Sequence, residues 1–245
     1  MATHVLLDNI THKDLRIITK RSAALGDNIN LTGVFPTEFR QAQSHYPLFF
    51  NKNNQTGQFE PVALLGFDQN ENLFLTPEGW QADYLPLTVK RQPFLIGFQN
   101  DSQTGEQNAV VHLDIEHPRI SNSEGEAVFL EFGGNSPFLE QINSILLAIH
   151  QGHEYNQSFI PCLTALELIE PVSLDIELDN GNKHKLAGLY TINEQQLNKL
   201  PAESLKQLQQ QGFLAHIYML IASLAVFPTV LIPPYLVAID GTIPI

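Results

Sequence analysis

The sequence predicts an α+β fold: a largely antiparallel sheet built from three hairpins, helices packed on it, and a buried C-terminal helix. Three observations carry this expectation. Apolar runs recur in pairs separated by turn-forming residues, the pattern of strand, turn and strand. Helical spacing of apolar residues is concentrated late, from Ser136 onward. With 43% hydrophobic and 16% charged residues, the composition is that of a globular chain, so the 245 residues are read as one domain with an atypical tail at 228–245.

Val5 to Ile18 is short and mixed, and Gly26-Asp27-Asn28 reads as a turn. Phe35-Pro36-Thr37-Glu38-Phe39-Arg40 reads as a helix entry, because proline suits the first helical turn and Glu38 complements the dipole there. Pro47 closes that short helix. The first hairpin joins Tyr46–Phe50 to Pro61–Phe67, and the second joins Pro93–Phe98 to Ala109–Ile115. The third joins Val172–Leu178 to His184–Ile192, and its Asp179-Asn180-Gly181 turn is the strongest short-range hairpin signal in the chain. Leu64-Leu65-Gly66-Phe67, Leu95-Ile96-Gly97-Phe98 and Leu186-Ala187-Gly188-Leu189 share one pattern, which suggests equivalent positions in one sheet.

Ser136 is placed as an N-cap before Pro137, with Phe138, Leu139, Ile142, Ile145, Leu146 and Ile149 on one stripe and Gly152 as the stop. A second helix runs from Ser158 to Ile169 and ends at Pro171; a third runs from Pro201 to Gln211 and, past Gly212, leads into Phe213–Phe227. From Ile217 to Ile239 there is no charged residue, a length that would suit a membrane span. Pro228, Pro233 and Pro234 interrupt it and no basic cluster flanks it, so it is read as a core helix followed by an extended apolar tail. Membrane insertion through that tail, or docking of the tail in a partner groove, is the alternative.

A formal net charge of −13, from 26 acidic and 13 basic residues, excludes a broad basic footprint, so no nucleic acid is expected as a partner. Between Gln92 and Lys183, Arg119 is the one Lys or Arg. The single cysteine, Cys162, cannot form an internal disulfide, and its apolar surroundings predict a buried, inert thiol. Met1 to Asp8 lacks the pattern of a secretory signal, so a cytoplasmic location is the default, with signal-independent export as the alternative.

Candidate chemistry centres on His112-Leu113-Asp114-Ile115-Glu116-His117-Pro118-Arg119. On a strand, His112 and Asp114 point to the same face, as two ligands of a non-haem Fe(II) facial triad do. The third ligand would have to come from His117, which lies out of phase beside a proline, or from His184 or His216. The competing reading is a sheet edge with no cofactor, where His112 and Asp114 bond each other or water and Arg119 is their counter-charge. His150 and His153 flank the helix stop at Gly152 and so lack a fixed metal spacing. Gly133-Gly134-Asn135-Ser136-Pro137 opens a helix whose free N–H groups could hold an anion, but no Walker lysine or dinucleotide glycine pattern accompanies it. Trp80 and Tyr84, with Arg119, are the remaining binding candidates, against the plainer reading of the aromatics as core. No nucleophile signature is present.

Several segments, in order, resemble the bacterial SapC family: Asn9-Ile10-Thr11-His12-Lys13-Asp14-Leu15-Arg16, Phe35-Pro36-Thr37-Glu38-Phe39-Arg40, Ser44-His45-Tyr46-Pro47 and Arg91-Gln92-Pro93-Phe94-Leu95-Ile96-Gly97. The likeness continues through the His112–Arg119 segment, Gly134-Asn135-Ser136-Pro137-Phe138-Leu139, Leu174–Leu178, Leu186–Tyr190 and Ile217–Leu224. The resemblance implies a setting in bacterial surface-layer systems, near TonB-dependent uptake receptors, and supplies no catalytic residues. Past Phe227 the chain departs from the charged helical end that the family leads one to expect. The combined expectation is a non-enzymatic binding or accessory protein of the cell envelope with a protein partner. The alternative is a metal-dependent, oxygenase-like enzyme using His112 and Asp114.

Overall fold

The computed structural model describes residues 3–100, 107–177 and 183–226. Strands occupy β1 (His4–Leu6), β2 (Arg16–Ile17), β3 (Leu31–Gly33), β4 (Leu48–Lys52), β5 (Phe59–Leu64), β6 (Leu75–Thr76), β7 (Gly79–Trp80), β8 (Phe94–Asn100), β9 (Gln107–Asp114), β10 (Ile120–Ser121), β11 (Glu126–Ala127), β12 (Ile169–Glu177) and β13 (Lys183–Ile192). Helices occupy α1 (Phe39–Ala42), α2 (Leu87–Lys90), α3 (Pro137–Ala165), α4 (Glu194–Lys199), α5 (Ala202–Gln210) and α6 (Phe213–Ser223). The fold is α+β, and the strand pairings described are antiparallel.

All three anticipated hairpins form: β4 with β5, β8 with β9, and β12 with β13. The Asp179-Asn180-Gly181 turn lies outside the described residues, as does the tail at 228–245. The hairpins do not share one sheet. The first and third join β3 in a five-stranded sheet ordered β12-β13-β4-β5-β3, whereas the second pairs with β1 in a separate three-stranded sheet. The three glycines of the repeated pattern therefore hold different places. Gly66 follows β5, and a Cβ there would meet the Glu71 carbonyl oxygen at 2.6 Å. Gly97 lies within β8 beneath the His112 ring, where a Cβ would be 2.7 Å from Cδ2. Gly188, at φ +84°, sits where the β12–β13 register shifts, a bulge that a left-handed glycine suits.

The described residues fall into two compact units. The first comprises Met1–Asn28, Leu75–Gln81 and Leu87–Gln151, and the second Ile29–Phe74, Ala82–Pro86 and Gly152–Ile245. In the first, β2 pairs with β10 and β11, and β6 pairs with β7, all as two-residue strands. Its core includes Leu15, Ile17, Phe94, Leu113 and Val128. In the second, the buried residues include Phe49, Phe50, Ala63 and Leu64 of the five-stranded sheet and Phe39, Phe159 and Ile217 of the helices.

Ser136 caps α3 as expected, its Oγ accepting from the Leu139 N–H at 3.2 Å. The helix does not stop at Gly152 but runs 29 residues to Ala165, merging two anticipated helices. Glycine inside a helix costs about 1 kcal/mol relative to alanine, too little to break a long helix held by packing. Its place here is steric: a Cβ on Gly152 would lie 2.5 Å from Phe35 Cγ. The chain instead reverses at Glu167, at φ 56°, with the Leu168 N–H donating to the Leu163 carbonyl at 2.9 Å. Pro171 ends no helix; it lies in β12, an edge strand, where its missing N–H is tolerated.

The C-terminal helix α6 buries Phe213, Ile217 and Leu220 on one stripe, while Tyr218 on the other side is exposed. Among the described residues no helix is long and apolar enough to cross a membrane.

Candidate functional site

In the first unit the chemistry-bearing segment begins on β9. The register sets His112 opposite Leu6 and Asp114 opposite His4, so His4, His112 and Asp114 share one face of the small sheet, as strand alternation requires. The His112 ring lies over Gly97, which has no side chain to displace it. Asp114 turns to the backbone: its Oδ1 accepts from the Thr3 N–H at 3.1 Å and from the Glu116 N–H at 3.2 Å. That carboxylate fastens the entry of β1 and the turn after β9.

The chain turns at His117, and Arg119 enters the interior. It is 0% exposed. One guanidinium nitrogen, Nη2, donates to both Asp27 oxygens at 2.6 Å, while Nη1 donates to the Ile18 carbonyl at 2.8 Å and the Lys20 carbonyl at 2.6 Å. Asp27, also fully buried, accepts further from Arg21 Nη1 at 3.2 Å and from the Ser22 N–H at 2.7 Å. Two arginines therefore converge on one carboxylate. Arg119 Nε is buried without an acceptor among the described residues.

His117 closes this centre. Its Nδ1 accepts from the Arg119 N–H at 3.2 Å, which leaves the ring proton on Nε2, and the ring packs over Gly26, 3.8 Å from where a Cβ would lie. Burial first, and then the Arg119 charge, hold its pKa below the ordinary histidine value. The Arg119 anticipated as a binding residue or as counter-charge to His112 and Asp114 is thus inside the protein, serving Asp27.

The metal reading requires a third ligand near His112 and Asp114. His117 accepts from the Arg119 N–H through Nδ1, and His216 belongs to the second unit, 3.0 Å from the Tyr155 hydroxyl through Nδ1. The His184 side chain lies outside the described residues. Among the described residues, no three His, Cys, Asp or Glu side chains gather as metal ligands.

Trp80 lies in β7 of the first unit, opposite Leu75, and Tyr84 belongs to the second. The Tyr84 hydroxyl donates to the buried Glu38 Oε2 at 2.6 Å, and its backbone carbonyl accepts from the Tyr46 hydroxyl. Burial, and then the Glu38 charge, push the Tyr84 pKa far up. The other Glu38 oxygen accepts from the Phe35 N–H at 3.0 Å, closing the helix entry that the sequence indicated. Cys162 is half-buried rather than enclosed, 3.8 Å from Gln211 Oε1, and burial raises its thiol pKa, which opposes reactivity. His150 and His153 lie on one uninterrupted helix, His150 tilted against the Phe98 ring and His153 edge-on to the Phe35 ring. Gly133 and Gly134 both take positive φ in the turn before α3.

Sequence reasoning did not reveal Asp27, Arg21 or Glu38 as interior polar residues. One signal pointed that way: a lone arginine in a long acidic stretch needs a dedicated acid if it is buried.

The SapC family model matches residues 7–229, running through both units. The chain belongs to the SapC family. No curated protein and no solved structure matches it. The SapC match takes in the Asp27–Arg119 centre, the β8–β9 sheet and α6, and ends just past the last described residue, Val226.

Proposed function

We propose that this SapC-family chain is a non-enzymatic binding or accessory protein of the bacterial cell envelope, serving TonB-dependent nutrient uptake or surface-layer biogenesis. Family membership over residues 7–229 carries the reading, through the surface-layer and uptake setting that the SapC resemblance implies. The fate of the polar side chains supports it. Arg119, Asp27, Asp114 and Tyr84 are each committed to hydrogen bonds within the protein, which suits a scaffold that recognises partners through its surface.

The second reading, a metal-dependent enzyme, draws on the face shared by His4, His112 and Asp114. One experiment separates the two. Deleting the gene in its own bacterium should slow uptake through a TonB-dependent receptor or lower surface-layer protein at the cell surface. Both the wild-type gene and a His112→Ala, Asp114→Ala double variant should restore it. An unchanged deletion strain would sink the accessory reading, and failure of a stably folded double variant to complement would favour the enzyme.

A further inference from the structure

Two turns of the first unit meet at the surface, and each presents a large apolar side chain to solvent. In the first, the Asp8 carboxylate accepts from the Ile10 N–H at 2.9 Å and the Thr11 N–H at 2.7 Å, so the turn is held while Ile10 is 83% exposed. In the second, the Leu130 N–H donates to the Gly134 carbonyl and the Gly133 N–H to the Leu130 carbonyl, each at 3.0 Å. Gly133 and Gly134, at φ +83° and +88°, supply the left-handed backbone this turn needs, and Phe132 at its tip is 96% exposed, with Leu130 at 53%. The turns adjoin: a Cβ on Gly133 would lie 3.9 Å from Asn9 Nδ2.

Single exposed hydrophobes are ordinary, but three on two adjoining, hydrogen-bonded turns form a preordered apolar tip. Such a tip can bind with little ordering cost. We infer that Ile10, Leu130 and Phe132 are the anchors by which the protein docks into an apolar pocket of a protein partner whose rim is basic. The charge of the turns selects this occupant. Asp8, Asp14 and Glu131 stand on the same two turns against Lys13 and His12, the latter 3.4 Å from Asp8 Oδ2, on a chain of net charge −13. An anionic bilayer and a second copy of this chain would both repel such a tip, whereas a basic rim complements it. The assignment rests on the binding-protein reading above.

The test places a photo-cross-linking phenylalanine analogue at position 132 of the full chain in its own bacterium, with control probes at exposed Leu147 and Tyr218. The expected result is a discrete adduct with another protein from position 132, weak or missing from the controls and lost with Ile10→Ser. The captured protein, once purified, should bind the chain more weakly as salt rises and at least ~10-fold more weakly to an Ile10→Ser, Phe132→Ser variant. Melting of that variant should match the wild type, since both sites are exposed. A self-adduct, co-flotation with phosphatidylethanolamine and phosphatidylglycerol vesicles in place of a protein adduct, no adduct from position 132, or unchanged affinity of the variant would each overturn the assignment. If the double-serine variant restores the deletion strain fully, the surface is wrong while the accessory reading stands. If the deletion strain itself is unchanged, that reading falls first.

Discussion

The two units of this protein are stabilised by different means. The second has a five-stranded ladder and a cluster of aromatic rings in which Phe39, Tyr155, Phe159, Phe213 and His216 meet edge to face or tilted. The first has two- and three-stranded sheets, two of them built of two-residue strands, and relies on arginine. Arg16 donates to the Gly125 carbonyl, Arg21 to Val89, Arg91 to Phe94, and Arg119 to Ile18 and Lys20. Where the backbone forms little regular ladder, its carbonyls still need donors, and a guanidinium with five N–H groups supplies several at once. Four of the five arginines of an acidic chain are used in this way. A basic residue in such a protein is therefore poor evidence of an anionic ligand until its burial is known.

The largest effect should come from the ionic centre. Arg119→Met takes from the buried Asp27 the guanidinium that bonds both its oxygens, and should cost about 3 kcal/mol by urea denaturation. An Arg119→Met, Asp27→Leu double variant should cost less than the sum of the two single substitutions. Additive losses would show that the pair does not hold the first unit together.

Tyr84→Phe, which removes one donor from the buried Glu38, should cost about 2 kcal/mol by the same measurement. An undisturbed midpoint would show that the Tyr84–Glu38 bond does not hold the second unit and would widen the contrast. Gly152→Ala should destabilise by about 1 kcal/mol, because crowding against Phe35 outweighs the gain in helix propensity. Stabilisation would show that Phe35 yields freely.

The smallest effect is common to both units. Burial depresses the pKa of His117 in one and His216 in the other. Below the ordinary value of 6.5 the unfolded chain takes up protons that the native state resists. Stability from this source is therefore complete above that pH and is lost as pH falls toward the lowered native values. Urea midpoints at pH 7.5 and 5.5 should differ, and His117→Gln or His216→Gln should each narrow the difference. Equal narrowing would mean that rings and ions shelter a histidine alike.

The hairpins were legible because β-branched and aromatic runs with polar turns identify strands without reference to anything distant. The same local reading failed at Gly152, where Phe35, far away in sequence, decides what fits. It failed again at Asp27, which looks like an ordinary turn residue beside Gly26 and meets Arg119 across 92 positions. The two-residue strands β2, β10 and β11 are too short for any periodicity to show. Of the anticipated site, the shared face of His112 and Asp114 was readable from alternation, whereas the destination of Arg119 was not.

The first unit is assembled from three stretches of chain separated by pieces of the second, and α3 itself begins in one and ends in the other. No single cut in the polypeptide releases either unit whole. Nested truncations and fragment fusions, the usual means of assigning an activity to part of a protein, would yield broken cores here. Point substitutions in the intact chain are the suitable instrument for mapping what this molecule does.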